Sequence, residues 1–179
     1  MRKLTNAAQV AKLIKQQAKE LGLKVTSKSQ NFSMGNSVYV HILSGTDAAV
    51  NQLKEDTKKY EYGTFDGMTD SYHADNVRED IPQTKYLFVD DDRAENIIKE
   101  NLDQTEKRFY EHRFTYNNVN CTSYQWLQKL KEEAEEDWQN VLKTLLQDFN
   151  AAGANSVTTQ LNGFVFQITK NRKEAAWKK

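Results

Sequence analysis

The chain contains one cysteine, Cys121, and one proline, Pro82, among 179 residues. A lone cysteine excludes an intramolecular disulfide and a cysteine-based zinc site, and the simplest expectation is a reducing cytoplasm. A lone proline leaves no proline-rich linker to mark a domain boundary. No stretch approaches the roughly 20 apolar residues of a membrane span, so no membrane partner is expected. The segment Met1–Asn6 has charge but no apolar run behind it and does not read as a secretory signal. Gly35, Gly45, Gly63 and Gly67 fall in separate turns, and none belongs to a phosphate-cradling loop. A net charge of zero argues against wholesale wrapping of nucleic acid, while leaving local contacts open.

Aromatic residues are plentiful. Eight Phe, eight Tyr and three Trp exclude a disordered chain and supply a core despite the low apolar fraction. The neutral total also conceals sorting. Residues 1–60 carry ten Lys/Arg against four Asp/Glu, residues 61–106 four against thirteen, and residues 107–179 eleven against eight. An acidic middle lies between two basic flanks, which speaks to partners more than to fold.

Apolar spacing predicts a first helix capped at Thr5 or Asn6, with Ala7, Val10, Leu13, Ile14, Ala18 and Leu21 on one face and Gly22 as its stop. Alternation predicts strands over Leu23–Ser27 and Val38–Leu43, joined by a loop from Asn31 to Asn36. Ser44–Asp47 caps a second helix that ends near Tyr60, with Ala49, Val50, Leu53 and Thr57 inward. Gly63–Pro82 is too polar and irregular for a regular element, and its length suggests a functional loop ordered by its aromatics. Lys85–Val89 is a third strand. Asp90, Asp91 and Asp92 then lead a helix over residues 93–111, facing inward with Ala94, Ile97, Ile98, Leu102, Thr105 and Phe109.

His112–Asn120 fits either an extended segment or a loop. One continuous helix is expected from Ser123 to Asn150, ended by Ala151-Ala152-Gly153. Asn162-Gly163 signals a hairpin between an arm with Val157, Thr159 and Leu161 and an arm with Phe164, Phe166 and Ile168. The basic tail runs from Asn171 to Lys179. This order predicts an α+β chain: a helix–hairpin–helix–strand module in residues 1–92, then helices and a C-terminal hairpin in residues 93–179.

Four chemistries compete. Asp66, Asp70, His73, Asp75 and the Asp90–Asp92 run have the donors of a magnesium-dependent nuclease. Against it, Asp66 and Asp70 can simply hold their own turn while the aspartate run caps a helix. A calcium loop starting at Asp66 fails, because Met68 and Val77 would stand at ligand positions. Cys121 with His41, His73 or His112 has no nucleophile motif around it. Phe164 and Phe166, followed by Lys170, Arg172 and Lys173, invite comparison with base-stacking strands, although core packing accounts for the rings more simply. Finally, the acidic block can act as a phosphate mimic on a basic channel.

Phe65-Asp66-Gly67-Met68-Thr69-Asp70, preceded by helix, hairpin and helix and followed by Lys85-Tyr86-Leu87-Phe88-Val89, resembles the large polyvalent protein-associated domains of phages and conjugative plasmids. The resemblance covers residues 7–92. It implies a mobile element, a bacterial host cytoplasm, and no known reaction. The expected function is accordingly a counter-defence binding protein without cofactor, metal or catalytic residues. It would inhibit a host defence nucleoprotein such as a CRISPR effector nuclease by occupying a nucleic-acid-binding surface, with its oligomeric state left open. The expected contact residues are Phe65, Asp66, Met68, Asp70, Tyr72, Asp75, Glu79, Asp80, Asp90, Asp91 and Asp92, with the basic flanks available to RNA or DNA. The alternatives are a metal-dependent nuclease acting on guide RNA or target DNA, and a nucleic-acid-binding accessory module.

Overall fold

A computed structural model describes residues 4–102, 109–151 and 155–170, and the chain is α+β. It divides into two compact units, residues 1–93 and 94–179. Arg172, Lys173, the basic tail, Thr105 and the Gly153 helix stop lie outside the described residues.

In the first unit, α1 (Asn6–Glu20) starts where the Thr5 hydroxyl accepts the Ala8 amide. It stops at Gly22, whose positive φ of 72° suits a residue without Cβ. Ala7, Val10, Ala11, Ile14 and Ala18 are buried. The small residues let this helix lie close to the sheet behind it. β1 (Lys24–Phe32) pairs antiparallel with β2 (Gly35–Ser44), so both strands extend further than alternation alone suggested. α2 (Asp47–Thr57) carries the chain across, and β5 (Tyr86–Asp91) returns parallel to β2. The sheet order is β1-β2-β5. Val38, Val40 and Ile42 of β2 join the helix residues in one core, with Leu87 and Val89 of β5 packed against it. That core covers one face of the sheet.

The expected irregular segment Gly63–Pro82 is partly regular. It contains a short hairpin, β3 (Thr64–Asp66) and β4 (Ser71–His73), with Phe65 opposite Tyr72. Short polar strands such as Thr64-Phe65-Asp66 lack the run of alternation that would announce them. Downstream, buried amides replace secondary structure. The Gln83 side chain donates to Lys59 O at 2.7 Å and Asn76 O at 2.8 Å, and accepts from the Arg78 amide at 2.7 Å. Asn36 accepts from Thr84 and from the Lys85 amide.

The second unit begins within α3 (Arg93–Asn101). The ambiguous stretch after His112 forms a hairpin, β6 (Arg113–Tyr116) and β7 (Val119–Cys121), with Asn117 and Asn118 at positive φ. The expected continuous helix is broken: α4 (Ser123–Ala134) gives way at Glu135 to a 3-10 turn and then α5 (Trp138–Ala151). The spacing Leu127, Leu130, Ala134, Trp138 runs through the break without interruption, so periodicity could not reveal it. β8 (Ser156–Leu161) and β9 (Phe164–Thr169) form the hairpin, with Asn162 at φ 48° and Gly163 at φ 86°. The sheet order is β7-β6-β9-β8. Phe114, Trp126, Trp138, Phe149, Phe166 and Ile168 lie at the centre of this unit's core.

Candidate functional site

Phe166 and Ile168 are fully buried, and Phe164 packs against the same core. Core packing is therefore the reason for Phe166 and Ile168, while Phe164 is half-buried and stacks on Tyr116 at 5.5 Å and 19°. The Lys170 ammonium lies over the Phe149 ring, 5.2 Å from its centroid. Cys121 donates to Phe114 O, and burial pushes its thiol above the ordinary value, away from a reactive thiolate. Among the described residues, no group of three or more His, Cys, Asp and Glu side chains is placed to hold a metal ion.

The hexapeptide forms the tip of the β3–β4 hairpin. Asp66 Oδ1 accepts the Met68 amide at 2.8 Å and Oδ2 accepts the Thr69 hydroxyl at 2.8 Å. These hydrogen bonds, the Met68 amide first, hold the Asp66 carboxyl below the usual range. Because Thr69 gives its one proton to Asp66, the 2.7 Å contact with Ser71 must be donated by Ser71. The 2.9 Å contact between Ser71 and His73 must then be donated by His73 Nε2–H. The chain His73–Ser71–Thr69–Asp66 thus points all its protons at the carboxylate. His73 holds a proton toward the serine and does not accept one from it, so the pair is a turn lock and no activated nucleophile. Asp70 sits at φ 50°, completing the turn.

Both oxygens of Asp66 are thus occupied within its own turn, and other carboxylates are likewise engaged. Thr64 donates to Asp75 at 3.0 Å, and Arg78 binds Asp80 through two nitrogens, at 3.0 and 2.6 Å. Asp91 belongs to the inside of the unit. Arg93, only 4% exposed in its side chain, forks onto both Asp91 oxygens at 2.7 and 2.8 Å and reaches Asp47 at 2.6 Å. The strand runs through Asp90 and Asp91, and Asp91 Oδ1 accepts the Arg93 amide at the start of the following helix at 3.3 Å. Asp92 accepts from His41 Nδ1 at 2.8 Å, while Asp90 stands 4.0 Å from the same nitrogen. Asp70, Glu79 and Asp90 remain exposed.

The apolar members of the motif do the opposite of what a loop core would require. Met68 is 97% exposed and Phe65 is 54% exposed. Tyr72 faces inward: its hydroxyl donates to Lys85 O at 2.6 Å and its ring meets Tyr86 edge-on at 5.5 Å. Burial raises the Tyr72 phenol far above its ordinary value, in keeping with this fixed role.

Beside the hairpin lies a surface that motif reasoning missed. The sheet face opposite the core presents Phe32, Tyr39, Tyr86 and Phe88 in nearly parallel planes. Tyr39 and Phe88 are 4.9 Å apart at 16°, Tyr86 and Phe88 6.4 Å at 19°, and Phe32 and Tyr86 6.3 Å at 20°. The signal was present in the alternation of Tyr39 with Val38 and Val40, but polar alternation is ordinarily solvent-facing and only pairing with β5 assembles the row.

Comparison of the chain with known protein families, with characterised proteins and with solved structures finds no match. No helix among the described residues is long and apolar enough to cross a membrane.

Proposed function

We propose that this chain is a non-enzymatic binding protein of a mobile element, acting in the bacterial host cytoplasm to block a defence nucleoprotein such as a CRISPR effector nuclease. One observation carries the binding part. A hairpin locked by its own polar side chains holds Met68 and Phe65 out into water, where they are available as apolar anchors for a partner. The resemblance of the hexapeptide region to phage and plasmid domains supports the counter-defence part. Pure charge mimicry is a weaker account than apolar anchoring, since Asp66, Asp80, Asp91 and Asp92 are engaged within the unit. The nuclease alternative loses support for the same reason: the Asp66 oxygens it would need are spent on the turn.

The test is a cleavage assay with a panel of purified CRISPR effector nucleases, with and without the protein. Inhibition of one effector is expected, weakened roughly tenfold or more by Met68→Ala or Phe65→Ala with the fold intact. Magnesium-dependent cleavage by the protein alone, lost in Asp66→Ala, would establish the nuclease instead. Charge is tested with Asp70→Lys, Glu79→Lys and Asp90→Lys. Asp91 is spared because its reversal would strand buried Arg93.

A further inference from the structure

The open face of the β1-β2-β5 sheet has a composition that selects its occupant. Alternation places Lys24, Thr26, Lys28, Gln30 and Phe32 of β1 on that side, with Tyr39 and His41 of β2 and Tyr86, Phe88 and Asp90 of β5, while Ser37 is buried beneath it and Leu43 falls at a bulge outside the paired register. Four rings share nearly one orientation, and Phe32 and Phe88 are each 43% exposed. Lys28 stands directly opposite Tyr39 in the register, with Lys24 further along the same edge strand. On the other side the Lys85 ammonium lies 4.8 Å from the Tyr72 centroid and 5.3 Å from that of Tyr86. Asp90 and Asp92 flank His41 at one end of the face, and Glu61 accepts the Leu87 amide along the outer edge of β5.

Aromatic rings interleaved with lysines suit unstacked bases and their phosphates, because every base has a π-face and every linkage a negative charge. Protein interface cores are also aromatic, but lysine is depleted there. A duplex hides its base faces and offers such a row nothing to stack on. We propose that this sheet face binds single-stranded nucleic acid, with bases continuing the aromatic row, phosphates tracking Lys24, Lys28 and Lys85, and the Asp90–Asp92 end closing the site. The assignment uses other residues than the hairpin tip and does not rest on the counter-defence reading.

Fluorescence anisotropy of the full chain with short labelled single-stranded RNA and DNA, and with the matching duplexes, tests it. Single strands are expected to bind and duplexes to bind at least tenfold more weakly. Tyr39→Ala and Phe88→Ala should each weaken binding roughly tenfold or more. Phe88→Leu keeps apolar bulk and serves as the second variant if Ala perturbs the fold; it too should bind more weakly. Lys28→Gln should flatten the slope of log affinity against log salt by about 0.7. Equal binding of duplex, no binding of any single strand, or affinity unchanged in both Phe88→Leu and Tyr39→Ala overturns the proposal. So does finding that these variants abolish only the effector inhibition, which would make the face a protein contact.

Discussion

Asp66 and Glu61 stand in opposite electrostatic situations within one unit. Asp66 is stabilised as the anion by the Met68 amide and the Thr69 hydroxyl, so its folded pKa is lowered. Its contribution to the hairpin is therefore present above the ordinary aspartate value of about 3.9 and is lost as pH falls through the lowered one. Glu61 is raised by burial, with the Leu87 amide working against that shift. Its contribution is fullest below about 4.3 and declines as pH rises through the raised value. Amide chemical shifts followed through an acid titration should separate them. The Met68 amide should move with a midpoint below about 3.9, and the Leu87 amide with one above about 4.3. Asp66→Asn should abolish the Met68 transition while leaving that of Leu87 in place. The sequence showed Asp66 within an Asp- and Gly-rich turn, and a carboxylate bonding its own turn was one of the two readings it allowed. What it could not show is which hydroxyls lie in reach, because that depends on the strand pairing that brings Ser71 opposite Asp66.

Elements were readable where a pattern repeats and unreadable where a single backbone angle or a close approach decides. Thr5, Thr46 and Gly22 announced their helix ends through cap chemistry, and Asn162-Gly163 announced its turn. The break between α4 and α5 had no such marker, since Glu135 is not a residue that prefers φ 47°. A non-glycine side chain there carries strain of about 1–3 kcal/mol. Glu135→Gly should relieve most of it and raise the unfolding midpoint of the second unit, read by urea titration of tryptophan emission. No gain, or a loss, would show that the Glu135 side chain offsets the strain through contacts of its own. Gly63 makes the complementary case. It reads as simple punctuation, yet an added Cβ would collide with the His73 carbonyl across the base of the hairpin. Gly63→Ala should therefore displace β3 from β4 and weaken whatever Met68 contacts, while circular dichroism of the whole chain changes little.

The two units each close a core of their own, one around Ile14, Val38, Ile42 and Leu53, the other around Trp126, Trp138, Leu142 and Phe149. The α+β class followed from the order of periodic segments, but the aromatic face did not, because it exists only once two strands separated by more than forty residues lie side by side. Arg93 ties that distant pairing to the start of α2 through Asp91, Asp47 and the Gly45 carbonyl at 2.9 Å. Replacing it with methionine leaves Asp91 without its bidentate partner, a change that costs about 3–5 kcal/mol when a buried pair is broken. That is a large fraction of the roughly 5–15 kcal/mol that holds a domain folded. Since all three tryptophans fall within residues 94–179, their emission reports the second unit, and near-ultraviolet circular dichroism of tyrosine is weighted toward the first. In Arg93→Met the tyrosine signal should be lost at markedly lower urea, together with single-strand binding, while the tryptophan transition stays where it was. A coincident shift of both probes would mean that the two cores unfold as one, and the nucleic-acid face would then have to be tested in variants that leave Arg93 in place.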